Sequence, residues 1–387
     1  INNHKQIIKN KNGLMSFGYN CFINTGIQCL RHCPSIISIF NDESTDSKLL
    51  EKALHFNQNL QDQENEDFTD LTDIDDSQND DSQNDDKINS SKMNIKNLDL
   101  CRIYFSFKKL LIDLTNNNQV ANPNNFIMAC NQKVRNDNSM YNHLFNGSQN
   151  DVSEFIVFLL DIIRDVKSNK TKMTIQHQEI KTFNQKVKID SMKNFIKIFE
   201  EDYSWIIQDF YYMMVTTTKC SNCDYMSITH DPSNNLHAEI PSCEHINLYD
   251  CIDHHLGQEK IHDWTCEKCK NKNGNLKENR LIDGPEILII PFKRFKPNRH
   301  KNNKLITFPL LLNLSPYILG SDNTANYKLF AVANHIGSSI HSGHYTAYCR
   351  DVDSDNWFCY NDSSVSHILE SQIVSNKAYL LFYKKIT

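Results

Sequence analysis

Apolar residues in the first half of the chain recur at the spacing of an α-helix. Phe22, Ile23, Ile27 and Leu30 follow a short glycine-containing turn, and a second apolar stretch covers residues 103–114. Positions three and four apart lie on one face of a helix, so each stretch would bury one side against a core. We therefore predict that the front of the chain is helical.

A further helix has a clearer start. Ser148 offers a side-chain oxygen to the first turn, and Asp151 stands three residues later, where an acidic group favours a helix N-terminus. The residues that follow place an apolar face on this helix, formed by Phe155, Phe158, Leu159, Ile162, Ile163 and Val166. The pattern predicts a helix capped by Ser148.

Beyond about Lys197 the pattern changes to short apolar runs that are typical of β-strands. These runs cover residues 211–218, 286–295, 327–334, 344–349, 357–360 and 379–383. Helices followed by strands indicate an α+β fold, and 387 residues exceed one ordinary core. We predict a helical lobe at residues 1–196 and a β-rich lobe at residues 197–387.

Between about residues 61 and 92 the composition shifts to Asp, Asn, Gln and Ser. The pentamer DSQND occurs twice there, at 76–80 and 81–85. Such a segment buries too little apolar surface to offset the entropy of ordering it, so we expect a disordered insertion loop. An acidic docking role is the alternative, which the low-complexity repeat disfavours.

The cysteine content and the net charge indicate the cellular compartment and the kind of partner. Thirteen cysteines, an odd number with four in Cys-x-x-Cys pairs, favour reduced thiols and metal binding over disulfides. This indicates the cytoplasm or the nucleus, and the sequence shows neither a secretory signal nor an apolar run of membrane-spanning length. A net charge of −6 provides no excess of positive charge with which to bind nucleic acid, and it favours a basic partner.

The two cysteine pairs are Cys220 with Cys223 and Cys266 with Cys269. Four thiolates form the tetrahedral ligand set of a closed structural zinc site. The pairs are far apart in sequence, so they must converge from the tips of two strand hairpins. An iron–sulfur cluster suits this setting poorly, and a redox site needs only one pair. We predict one structural zinc ion and no catalytic metal.

Three histidines, His335, His341 and His344, lie close together near the C-terminus. The glycine and serine residues between them indicate a loop, and their spacing lacks the helical geometry of a zinc-protease motif. We therefore do not predict a second metal site there. His344 has a different candidate role.

Cys21 ends a tight turn, GLMSFGYNC, immediately before the first predicted helix. The positive end of a helix dipole favours the thiolate of a cysteine, which is its nucleophilic form. His344 can pair with that thiolate and protonate a leaving amine, while Asn361 can fix the tautomer of the imidazole. The alternative is that Cys21 is one of several buried, inert cysteines.

Six sequence blocks resemble those of the ubiquitin-specific proteases, the papain-like family of deubiquitinating enzymes. In chain order they are GLMSFGYNCFINTGIQCL, SQNDVSEFIVFLLD, EILIIPFKRF, HSGHYTAYCR, WFCYNDSSV and AYLLFY. The resemblance covers about residues 13–383. It implies a right-hand architecture of thumb, palm and zinc-bearing fingers, a monomer, and ubiquitin bound with its tail in the cleft between thumb and palm.

The resemblance also assigns roles to individual residues. It implies Cys21 as nucleophile, His344 as general base and Asn361 as third triad member, with Asp362 as an acidic alternative beside it. A second group would contact the substrate tail: Asp151 and Glu154 would hold its arginines, and Gly343 would let a diglycine pass closely.

One position departs from the family pattern. An asparagine that contributes to the oxyanion hole usually stands five residues before the nucleophile, where this chain has Ser16. The hydroxyl of Ser16 or the amide of Asn20 would have to take its place.

From the six matching blocks and the order of Cys21, His344 and Asn361, we expect a ubiquitin isopeptidase. The alternatives are a weak or inactive ubiquitin-binding module, and an isopeptidase for another ubiquitin-like modifier.

Overall fold

Helices make up most of the described residues in the first half of the chain. The computed structural model describes residues 11–41, 46, 81–116, 119–176, 179–295, 300–320, 325–339 and 342–386. Its α-helices are α1 (Cys21–Arg31), α2 (Pro34–Ile37), α3 (Asp81–Asn116), α4 (Asn124–Asn136), α5 (Val152–Lys167), α6 (Phe183–Phe199), α7 (Trp205–Phe210) and α8 (Leu248–Leu256). Short 3-10 helices cover Ser38–Asn41, Met140–Phe145, Ser315–Tyr317 and Glu370–Gln372.

The predicted first helix, α1, is buried along its whole length. Its Phe22 ring packs edge to face on Phe155 of α5, with 6.0 Å between the ring centroids. A Cβ atom at Gly26 would lie 2.7 Å from the Phe155 ring, so the glycine is needed for the two helices to approach. This packing fixes the helix that begins with Cys21.

Helix α5 begins later than predicted, and Ser148 is not its cap. The N-cap is Asp151, whose Oδ1 accepts a hydrogen bond from the backbone N–H of Ser153 at 2.6 Å. Ser148 instead follows Gly147 in a turn, because Gly147 has a φ of 84° and breaks the helical path. Aspartate caps as well as serine does, so the sequence signal was ambiguous. The predicted apolar face of the helix is confirmed.

Helix α3 contains the predicted apolar stretch 103–114 and extends far before it. Residues 61–80 of the predicted insert lie outside the described residues. Residues 81–92 are helical, so the structure has a helix where we expected disorder. Extending a helix costs little once a nucleus exists, and the nucleus here is the packed stretch around Tyr104, Phe107 and Leu111.

The strands follow in the order that the sequence indicated, with additional short ones. They are β1 (Tyr212–Lys219), β2 (Met226–Ser233), β3 (Ile246–Asn247), β4 (Glu259–Ile261), β5 (Asn275–Leu281), β6 (Ile287–Pro291), β7 (Ile306–Thr307), β8 (Leu311–Asn313), β9 (Asn326–Ser339), β10 (Ser342–Arg350), β11 (Trp357–Asn361), β12 (Ser364–Ile368) and β13 (Ala378–Ile386). Each of the six predicted runs overlaps one of these strands, and most of the strands extend beyond the predicted run.

The main sheet separates two hydrophobic cores. Its strand order is β12-β11-β10-β9-β13-β6, with β8 paired to β9. Alternate residues point to opposite faces: Leu380 and Phe382 join the core shared with the helices, whereas Leu381 and Tyr383 join the second core. Burial on both faces explains why these strands read as continuous apolar runs.

A second sheet, in the order β2-β1-β5-β4, carries the cysteine pairs. Helix α6 packs on it through Val187, against Met213 and Val215 of β1. The boundary that we predicted between residues 196 and 197 falls inside α6. Among the described residues, none of the helices combines the length and the apolar character that crossing a bilayer requires.

Candidate functional site

Cys21 is the first residue of α1, and its side chain is buried in the core that the helices share with the main sheet. The first intrahelical bond runs from the Asn24 N–H to the Asn20 carbonyl, at 2.9 Å. The N–H groups that precede Asn24 in the helix therefore have no acceptor within it, as at every helix N-terminus. They form a cluster of donors beside the sulfur.

His344 lies on β10 and Asn361 at the end of β11, and these two strands pair in the main sheet. His344 Nε2 donates to Asn361 Oδ1 at 2.6 Å. A hydrogen bond with Cys21 raises the pKa of His344 to about 9, burial opposes the rise, and the bond to Asn361 supports it. The structure therefore brings Cys21, His344 and Asn361 together, although they are distant in sequence.

Asp362 adjoins the same group but faces α1. Its Oδ1 accepts a hydrogen bond from Asn24 Nδ2 at 2.8 Å, and its backbone oxygen accepts one from the Leu14 N–H at 2.8 Å. Its negative charge makes a smaller contribution to the raised pKa of His344. Asp362 is thus close enough to influence the imidazole, while its carboxylate is held by Asn24.

The two oxyanion candidates differ in how their side chains are used. Asn20 is fully buried; its Oδ1 accepts from the Phe17 N–H at 2.7 Å, and its Nδ2 donates to Met15 O and Asn24 Oδ1, both at 3.1 Å. Ser16 is exposed, and its hydroxyl oxygen accepts a long 3.4 Å bond from the Gly18 N–H. The amide of Asn20 is committed to the shape of the turn, whereas the Ser16 hydroxyl faces solvent.

The predicted substrate carboxylates also have contrasting surroundings. Asp151 is buried, accepts a hydrogen bond from the Tyr379 hydroxyl, and caps α5. Burial raises the pKa of Asp151 to about 6, although the bond from Tyr379 acts against the rise. Glu154, by contrast, is half exposed and accepts from His143 Nε2 at 2.7 Å.

Gly343 stands where there is no room for a side chain. A Cβ atom there would lie 2.5 Å from His335 Nε2 and 2.7 Å from the Ile336 carbonyl oxygen. The Gly343 N–H donates to Gln149 Oε1 at 2.9 Å, which ties the residue before His344 to the start of α5. Close approach therefore accounts for glycine at this position.

His335 belongs to the core behind the site. It is fully buried, its ring lies 4.7 Å from that of Tyr345, and burial lowers its pKa to about 4, with Lys301 adding to the effect. His341 lies outside the described residues. Sequence reasoning missed Asn24 and Gln149; the only available signal was that Asn24 follows Cys21 by about one helical turn.

The four predicted metal ligands converge at the tips of the β1–β2 and β4–β5 hairpins, as expected. Their sulfur atoms all lie within 4.8 Å of one another, with Cys220 Sγ 3.5 Å from Cys269 Sγ and Cys223 Sγ 3.7 Å from Cys266 Sγ. Tetrahedral zinc with Zn–S distances of about 2.3 Å would place its sulfurs roughly 3.8 Å apart. The cluster therefore fits a zinc ion.

Comparison with known proteins gives a family for this arrangement. A family model described as Ubiquitin carboxyl-terminal hydrolase matches residues 12–383. Ubiquitin carboxyl-terminal hydrolase 2 of Bos taurus is 33% identical over 252 residues, which are 61% of this chain and 40% of that protein. Ubiquitin carboxyl-terminal hydrolase Usp2 of Drosophila melanogaster is 26% identical over 390 residues, 96% of this chain and 34% of that protein. The chain thus spans well under half of these relatives.

A solved structure confirms the fold class. The SAGA DUB module of Ubp8, Sgf11, Sus1 and Sgf73 bound to monoubiquitin contains a chain similar to this one, with a TM-score of 0.64 and 21% sequence identity. The similarity covers 99% of this chain and 70% of that chain. The predicted α+β fold class is therefore confirmed.

Proposed function

Because this chain belongs to the ubiquitin carboxyl-terminal hydrolase family, we propose that it hydrolyses the bond after the C-terminal glycine of ubiquitin through Cys21, His344 and Asn361. The contact of His344 with both other groups is the observation that carries this proposal. The substrates are ubiquitinated proteins, and the enzyme acts as a monomer in the cytoplasm or the nucleus.

The reaction begins with an ion pair. A hydrogen bond joins Cys21 to His344 and raises the pKa of the imidazole to about 9, and in the proposed reaction this pair acts as thiolate and imidazolium. The sulfur attacks the glycine carbonyl carbon, and His344 then gives its proton to the departing lysine amine as the C–N bond breaks. Water attacks the resulting thioester with His344 as base; the C–S bond breaks, the ubiquitin carboxylate is released, and the starting pair of Cys21 sulfur and protonated His344 is restored.

Asn361 orients this histidine. Its Oδ1 accepts the Nε2 proton of His344, so the imidazole is held in one orientation. Asp362 is the neighbouring acid, and it contributes through its charge while Asn24 holds its carboxylate.

The oxyanion that forms in this reaction needs donors. The Cys21 backbone N–H lies at the positive end of α1, where it has no acceptor within the helix. Since the amide of Asn20 already donates to Met15 and Asn24, the exposed hydroxyl of Ser16 is the side-chain donor that we assign. Asn20 then acts by shaping the turn.

The substrate tail would meet Glu154 and Gly343. The half-exposed carboxylate of Glu154 can pair with an arginine of the tail after its hydrogen bond with His143 breaks. Asp151 contributes from a buried position at the start of the same helix. Gly343, directly before His344, is the residue that we assign to the passage of the diglycine, in addition to its close packing on His335.

The zinc ion that fits the cluster has a structural role. Cys220, Cys223, Cys266 and Cys269 would hold it, and the bound ion would stabilise the second sheet. Four protein ligands leave no open coordination position for water, so the reaction does not pass through it.

A ubiquitin probe with an electrophile in place of its C-terminal carboxylate tests the proposal. We expect a covalent adduct at Cys21 of the zinc-loaded chain, because Cys21 is the proposed nucleophile and shares a hydrogen bond with the proposed base His344. Mass spectrometry of the intact protein and its peptides locates the adduct. The Cys21→Ala variant serves as control and should bind ubiquitin without forming an adduct; a folded wild-type chain that forms none would refute the proposal.

A weak or inactive ubiquitin-binding module is the second candidate, and Ser16 is the observation that favours it. We expect Ser16→Asn to raise kcat by up to about 10²-fold, since a carboxamide reaches further than a hydroxyl toward the oxyanion. Hydrolysis of a fluorogenic ubiquitin amide measures the change. Ser16→Ala is the control and should lower kcat; a variant with asparagine that is no faster than the alanine variant would contradict the assignment of this position.

A further inference from the structure

Residue Asn24 connects three parts of the candidate site that are separate in sequence. We propose that Asn24 is a positioning residue, which fixes Asn361 against His344 by holding the turn that carries Asp362 to helix α1. This inference rests on the proposed function and assigns a role to a residue outside the reacting groups.

All the hydrogen-bonding groups of the Asn24 carboxamide are used. Its Nδ2 donates to Asp362 Oδ1 at 2.8 Å and to Met15 O at 3.2 Å, and its Oδ1 accepts from Asn20 Nδ2 at 3.1 Å. The side chain is only 2% exposed, so water competes poorly for these bonds. One buried group thus links the nucleophile helix, the turn before it and the turn after Asn361.

The turn that Asn24 holds is the tip of a hairpin. Asn361 pairs with Ser364 where β11 meets β12, so Asp362 and Ser363 form a two-residue connection. Asp362 has a φ of 49°, a left-handed conformation that aspartate tolerates in short turns better than most residues with a side chain. Such a tip needs contacts beyond its own two strands to keep one position.

Two contacts supply this hold. The Leu14 N–H donates to the Asp362 backbone oxygen at 2.8 Å, and a Cβ atom at Gly13 would lie 2.4 Å from the Ser363 oxygen, so the N-terminal segment passes directly against the tip. Asn24 is the side-chain contact on the other side. Removing the Asn24 side chain leaves the Asp362 carboxylate without this donor and leaves the tip without its contact to α1.

The consequence for the reaction runs through Asn361. Its Oδ1 must stay 2.6 Å from His344 Nε2 to orient the imidazole, and it is the residue directly before Asp362. Displacing a catalytic group by about 1 Å can cost on the order of 10²-fold in rate. Asn24 therefore acts on kcat through the orientation of His344, without contact to the substrate.

The test compares Asn24→Ala with Gln28→Ala in the full chain. Gln28 is a matched control: it is a buried carboxamide one turn further along α1, 2% exposed, and its Nε2 donates to the backbone oxygen of Asn12 at 2.9 Å. It contacts the same N-terminal segment. We expect Asn24→Ala to lower kcat by about 10²-fold with KM for the ubiquitin amide unchanged, and Gln28→Ala to lower the melting temperature while kcat is retained.

The pH profile separates positioning from simple destabilisation. The bond from Asn361 supports the raised pKa of His344, so a displaced Asn361 should move the alkaline fall in kcat to lower pH. We expect this shift in Asn24→Ala and no shift in Gln28→Ala. Equal losses of kcat in both variants, with unchanged profiles, would show that Asn24 is only structural.

A second substitution keeps the test decisive if Asn24→Ala fails to fold. Asn24→Asp places two carboxylates face to face and should reduce kcat, whereas combining it with Asp362→Asn restores a donor and an acceptor between the two positions. We expect the double variant to recover at least part of the lost kcat; no recovery would overturn the proposal. A wild-type chain without adduct or turnover would instead refute the proposed function, and an Asn24→Ala variant as fast as an active wild type would refute only this inference.

Discussion

Replacing His344 by alanine is expected to lower kcat by on the order of 10⁴-fold or more, since both proton transfers of the proposed reaction depend on this imidazole. Without it the Cys21 sulfur loses its hydrogen-bond partner, and in the proposed reaction the departing lysine amine has no acid. Turnover of a fluorogenic ubiquitin amide measures the loss. The affinity for ubiquitin should be retained, because the proposed function places His344 at the scissile bond and away from the surfaces that would hold the globular part of ubiquitin.

The pH dependence of the wild-type enzyme follows from the same residue. The hydrogen bond with Cys21 raises the pKa of His344 from 6.5 to about 9, so the imidazole stays protonated through neutral pH and loses its proton as the pH rises through about 9. The contribution of this group to folding stability has the same sign: it is fully present below the unfolded pKa of 6.5 and disappears through the folded value. We expect kcat to fall on the alkaline side near pH 9.

Asn361→Ala is the matched control for these measurements. It removes the orienting group and leaves the imidazole, so its loss of kcat should be smaller than that of His344→Ala, and its alkaline limb should move to lower pH. A His344→Ala variant that keeps kcat within about tenfold of wild type would show that the histidine is not the general base.

The elements that sequence could predict are those with deep burial. Strands such as β6 and β13 are covered on both faces of the main sheet, so they appear as apolar runs, and α1 and α5 show a buried face at helical spacing. Strands β2 and β5 escaped prediction, because their partly exposed residues carry no such run. Helix α6 was not predicted for a related reason, because lysines interrupt its apolar positions.

The site was predictable only as a set of reactive residues. Cysteine, histidine and asparagine in that order indicated the chemistry, and the paired cysteines indicated the metal site. The sequence does not show where the side chains point. Asn20 was a candidate oxyanion donor, yet its amide points into the turn and donates a hydrogen bond to the Met15 carbonyl oxygen. The connection between Asn24 and Asp362 depends on packing across 338 sequence positions, which spacing alone does not reveal.

Loss of the zinc ion should have the largest effect on the second sheet. We expect Cys266→Ser to abolish stoichiometric zinc and to lower the melting temperature by about 10 °C or more, because the binding free energy of a structural metal is part of the folding free energy. The cluster joins the tips of two hairpins, and strands β1 and β5 pair directly with each other below it. Elemental analysis and calorimetry measure the two quantities.

The exposed Cys243 provides the control, since it lies outside the four-sulfur cluster. Cys243→Ser should keep one zinc ion per chain and the wild-type melting temperature, which separates loss of a ligand from loss of any thiol.

Chelation of the wild-type protein should reproduce the Cys266→Ser result. Because Tyr212 at the start of β1 and Leu281 at the end of β5 pack in the second core of the main sheet, the destabilisation should spread from the hairpins toward the sheet that carries His344. A chelated protein that melts as the zinc-loaded one does would show that the hairpins are stable without the metal.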